Sequence, residues 1–218
     1  MIAGTPPRQD LGDILASSIS HGLGILLALA GAVMLICAST RGNARCIASC
    51  SIYSGSLLML YISSTLYHSL IRTKARHVLR VLDHSAIYLL IAATYTPFAL
   101  ISLHGPLGWF VFGFIWFLAV AGVVFKSLFV DRFAVASALI YIVMGWLAIL
   151  IIEPLARAIT WRGMMWLAAG GVAYTLGMLF FAKDRLRYFH ALWHVFVLAG
   201  SIIHYFAIFI YVVPGHVK

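Results

Sequence analysis

The sequence predicts an all-α integral membrane protein, a bundle of seven transmembrane helices. Two observations carry this. Of its 218 residues 63% are hydrophobic and only 10% are charged, and the mean hydropathy is +1.02. That is the composition of a chain that is nearly all membrane domain. Moreover, the apolar residues fall into long blocks of the length a bilayer requires, about 20 residues per helix.

The expected spans are 14–39, 48–70, 83–103, 107–128, 133–152, 163–182 and 189–213, with short polar tails at 1–13 and 214–218. The first tail holds Pro6, Pro7, Arg8, Asp10 and Asp13 and lacks the charged-then-apolar layout of a cleaved signal peptide, so the first span is expected to remain. Short connections favour antiparallel neighbours packed in order. Gly22, Gly24, Gly31, Gly170 and Gly171 suit close helix contact in lipid. No second domain and no strand is expected.

Lys and Arg set the orientation. With a cytoplasmic N-terminus, ten of them face the cytoplasm and five face outside, the strongest clusters being loops 72–80 and 183–187. The C-terminus is then outside. The net charge of +9 is therefore read as loop charge, not as a nucleic-acid surface. Cys37, Cys46 and Cys50 make no disulfide framework and are read as apolar packing.

This topology levels several costly polar residues. The second span ends at His68, the third starts at Asp83, and the seventh starts with His190 and His194. All four should lie near the cytoplasmic leaflet, where ionisable groups need partners. His190 and His194, spaced i, i+4, lie about 40° apart on one helix face, a half-site for zinc. His68 would make three imidazoles with an open position, the pattern of a catalytic metal site.

Asp83 has two readings: a cap or Arg80 partner at the start of its helix, or a base for a water beside the metal. Ser64, one turn before His68, either bonds that water or bonds back to its own helix. His204 is about 15 Å beyond His194 by helical rise, too far for the same metal. It would join a polar track with Ser201 or pair with His21. His77, His84, His104 and His216 carry no chemistry in this reading.

Ser64-Thr65-Leu66-Tyr67-His68, Leu82-Asp83-His84-Ser85, Tyr95-Thr96-Pro97-Phe98 and His190-Ala191-Leu192-Trp193-His194, with His204, together resemble the hemolysin III family, from Ser20-His21-Gly22-Leu23-Gly24 onward. This is the bacterial branch of the progestin and adiponectin receptor superfamily. The resemblance implies an N-in seven-helix bundle in the bacterial inner membrane. It implies zinc on His68, His190 and His194, with Asp83 and Ser64 acting beside it. It also implies a link to membrane-lipid chemistry, including ceramide-like amide hydrolysis. The chain departs from many members in the first helix, where Asp13 and Ser17 stand in place of Glu and Asn.

The leading expectation is a zinc-dependent hydrolase of a lipid amide or ester, with a membrane lipid as substrate. The alternatives are a lipid sensor with structural zinc and the pore-forming cytolysin that the family name suggests. The last is physically weak for a uniformly apolar chain. Bis-histidine haem ligation fits three imidazoles at one level less well than a single ion.

Overall fold

A computed structural model describes residues 11–130 and 132–213. The expected tail residues 1–10 and 214–218, with Arg8, Asp10, His216 and Lys218, lie outside the described residues, as does Asp131. The described residues are helical and contain no strand.

The helices are α1 (Leu11–Ser39), α2 (Ala44–Ser69), α3 (Arg76–Pro97), α4 (Gly105–Phe129), α5 (Ala134–Trp146), α6 (Ile152–Phe181) and α7 (Phe189–Ala207). Six stretches among them are long and apolar enough to cross a membrane. The chain is a multi-pass membrane protein. The fifth and sixth expected spans fall together in one stretch of 47 residues, Val135–Phe181. Within it Thr160 sits at φ 64°, a conformation that breaks a helix. Trp146 Nε1 donates to Thr175 Oγ1 at 3.0 Å, so the chain doubles back between these residues.

Helix ends follow local chemistry. Asn43 Oδ1 accepts from the Cys46 N–H at 3.0 Å and starts α2 four residues earlier than the hydropathy suggests. Pro106 sits in the first turn of α4, where its missing N–H is harmless. Pro97 ends the regular part of α3, and the chain continues as a π-helical turn over Phe98–Leu103. His104, at φ 35°, then turns it into α4. α3 starts at Arg76, not at Asp83. Asp83 is therefore two turns inside the helix, and the capping role is excluded.

α3 is the most buried span, whereas α1, α4 and the 135–181 stretch present most of their surface outward. Large apolar side chains such as Phe110, Phe117 and Leu150 are exposed, as a bilayer-facing surface requires. Close approach inside rests on small residues. A Cβ at Gly24 would lie 2.5 Å from Tyr61, and one at Gly122 2.4 Å from Tyr88. All three cysteines are free.

Candidate metal centre

α2 and α7 meet at the end of the bundle that carries the basic loops. There the ligand atoms of His68, His190 and His194 all lie within 4.8 Å of one another. The expected three imidazoles do converge, although 122 residues separate His68 from His190. His68 Nε2 and His190 Nε2 are 3.2 Å apart. Two nitrogens on one tetrahedral zinc, each at about 2.0–2.1 Å, stand about 3.3 Å apart. His68 and His194 are almost fully buried, which keeps water from competing for them. The donor set therefore fits a soft-to-borderline ion such as zinc.

The surrounding groups orient the rings. His194 Nδ1 is 3.1 Å from the Ser17 carbonyl of α1. A carbonyl only accepts, so Nδ1 carries the proton and Nε2 keeps its lone pair for a ligand. His21 stacks flat on His194, with ring centroids 3.6 Å apart and planes at 10°. Tyr61 meets the edge of His21 at 5.1 Å. Asp13 Oδ1 accepts from the backbone N–H of Tyr188, the left-handed residue (φ 63°) immediately before α7. α1 thus fixes both the entry of α7 and one of its imidazoles.

Ser64 Oγ is buried and makes no hydrogen bond, and it neighbours Asp83. Arg80 interacts electrostatically with the same carboxylate. His84 Nδ1 is 3.7 Å from Asp83 Oδ2 and 2.9 Å from the Arg80 carbonyl. A polar line thus runs from Asp83 through Ser64 toward His68, one turn further along α2. Asp83 is not among the residues whose ligand atoms cluster.

Residues 15–205 match the family model described as haemolysin-III related. The chain belongs to that family. Among its relatives, Hemolysin-3 of Bacillus cereus is 47% identical over 211 residues, covering 96% of each chain. The Hemolysin-3 homolog of Bacillus subtilis (strain 168) is 44% identical over 200 residues, 91% of this chain and 94% of that protein. More distantly, the human monocyte to macrophage differentiation factor is 34% identical over 167 residues, 73% of this chain and 68% of that protein. The haemolysin-III match takes in α1 through most of α7, and so contains every residue of the cluster.

Sequence reasoning missed what α1 brings to this haemolysin-III site. His21 does not pair with His204; it stacks on the cluster. Asp13 accepts from the Tyr188 N–H just before α7, and the Ser17 carbonyl meets His194 on α7. The signal in the sequence was the i, i+4, i+8 spacing of Asp13, Ser17 and His21, which puts all three on one face of α1. His204 lies apart from the cluster, its Nε2 3.0 Å from the Leu167 carbonyl of α6 and its ring 5.4 Å from Tyr174.

A cavity of about 110 Å³ opens inside the bundle among α3, α5, α6 and α7. Trp193, Val197 and Leu60 line one end, each within about two turns of a cluster residue or Ser64. Along α3 it extends from Ile87 to Tyr95, about 12 Å at helical rise, and it continues past Phe98, Ala99 and Leu103 of the π-helical turn. Its wall is overwhelmingly apolar.

Proposed function

We propose that this chain is a zinc-dependent hydrolase of a lipid amide or ester in the bacterial inner membrane, working in membrane-lipid homeostasis. The observation that carries the reading is the convergence of three imidazoles within about two turns of a long apolar cavity. One end supplies a metal and the other the room for an acyl chain.

His68, His190 and His194 would hold the ion. Zinc bound there supplies a Lewis acid that polarises a carbonyl and makes water nucleophilic near neutral pH. Asp83 takes a proton from the attacking water and returns it to the leaving group. The buried Ser64 hydroxyl, without a partner of its own, orients that water. His21 and the Ser17 carbonyl hold the His194 ring in place. The apolar wall aligns the acyl chain and excludes bulk water.

The reading includes seven crossings with the N-terminus in the cytoplasm. The 47-residue stretch Val135–Phe181 would run about 70 Å if straight, more than twice a hydrocarbon core of about 30 Å. Its fold-back between Trp146 and Thr175 supports two crossings. The Lys and Arg bias supports the orientation, and with it a site near the cytoplasmic leaflet.

Elemental analysis of the purified chain tests the centre. About one zinc per chain is expected, lost in His68→Ala and in His194→Ala. Metal-free wild type would sink the reading. Because the ligands come from α2 and α7, a structural zinc tying these helices in a lipid sensor is the second reading. Asp83→Asn separates the two: it stops hydrolysis of a ceramide-like amide in the first and is tolerated in the second. Haemolysis is what the relatives' names speak of. A pore reading would require bilayer conductance that survives loss of the histidines.

A further inference from the structure

The cavity holds one polar atom that the hydrolase reading leaves unused. Most polar groups in its wall are already engaged by the protein. Thr94 donates to the Leu90 carbonyl. Tyr95 bonds the carbonyls of Met144 and Gly145 and accepts from the Ala148 N–H. Tyr141 donates to the His84 carbonyl. Trp146 donates to Thr175, which donates to the Gly171 carbonyl. Tyr174 bonds Ser201 at 2.8 Å.

His204 differs. It lines the cavity and is only 8% exposed. Its Nε2 sits 3.0 Å from the Leu167 carbonyl, which can only accept, so Nε2 carries the proton. Nδ1 is then an acceptor, and it is buried without a partner. The ring is seated on bare backbone: a Cβ at Gly170 would come within 2.1 Å of its Cδ2. An orphaned acceptor in an apolar wall is unfavourable and calls for an O–H or N–H donor from the occupant.

We infer that His204 is a recognition site for a hydroxyl carried within the apolar body of the ligand, a long-chain lipid hydroxylated near mid-chain. This rests on the reading of the cavity as an acyl-chain site. His204 lies ten residues beyond His194, about 15 Å along α7, so a chain anchored at the histidine cluster reaches it with its middle carbons. The hydroxyl donates to Nδ1 while the rest of the chain keeps its apolar contacts.

Equilibrium binding of radiolabelled 12-hydroxystearate and stearate to the purified full chain in nanodiscs tests the assignment. The hydroxylated acid should bind wild type about tenfold tighter, the worth of one buried hydrogen bond. His204→Leu should abolish that preference while keeping stearate affinity. Gly170→Ala, which displaces the ring from the outside, should also abolish it. Equal affinities in wild type overturn the inference whatever the variants do, as does a preference that survives in His204→Leu. A chain without zinc or turnover that still prefers the hydroxylated acid would defeat the hydrolase reading and leave this one standing.

Discussion

His194 is held from two sides. Its Nδ1–H is tied to the Ser17 carbonyl and its face is covered by His21, so Nε2 meets the cluster in a single ring orientation. Outer groups that fix a ligand ring typically alter metal affinity by 10–100-fold. His21→Ala should therefore weaken zinc binding by about tenfold in a chelator competition, whereas His21→Phe, which keeps a flat ring there, should restore most of it. Unchanged affinity in His21→Ala would remove His21 from the site. At Asp83 the expectation differs: Asp83→Asn should lower turnover by about 10²–10⁴, the contribution of a general base, with zinc content intact. The three clustered imidazoles were legible in the sequence because i, i+4 spacing put His190 and His194 on one face of α7 and the order of the spans put His68 level with them. His21 was not, because its partner is 173 residues away on α7 and a stacked ring leaves no spacing pattern.

Among the elements, α1 and α7 are joined most tellingly. Tyr188 adopts a left-handed backbone just before α7, at a cost of roughly 1–2 kcal/mol for a residue with a Cβ, and the Asp13 carboxylate stabilises it by taking its N–H. Asp13→Ala should lower stability by about 1 kcal/mol, read as an earlier thermal transition in detergent. Asp13→Asn keeps an acceptor and should lose less. Helix ends with a local cause could be read closely: α1 and α2 end within a few residues of their expected ends, and α7 starts at the expected residue. The early start of α3 could not, because Arg76, His77 and Arg80 look like loop residues until the helix wraps them around its basic end. The break between the fifth and sixth expected spans falls at Thr160, inside the expected connection 153–162. Glu153, Arg157 and Arg162 mark that connection in the sequence, whereas the exact residue of the break, Thr160 at φ 64°, is a backbone event that composition does not record.

At the scale of the whole molecule, the bundle is turned outward, with apolar side chains over most of α1, α4 and the 135–181 stretch and polar atoms gathered within. The proposed orientation predicts that a reporter fused after residue 187 is active only in the cytoplasm, and that a cysteine placed between 157 and 162 is labelled from outside. The reverse pattern would overturn the N-in topology. The distribution of the ligands has a consequence for biosynthesis. One imidazole comes from α2, but two come from α7, which leaves the ribosome after α1 to α6. A nascent chain that stops before α7 carries only His68 of the three imidazoles and, in the proposed reading, would not retain an ion. Under the proposed zinc reading, metal uptake would report that α7 has joined α2 in the bundle, and a chain truncated before α7 would hold no metal at this site.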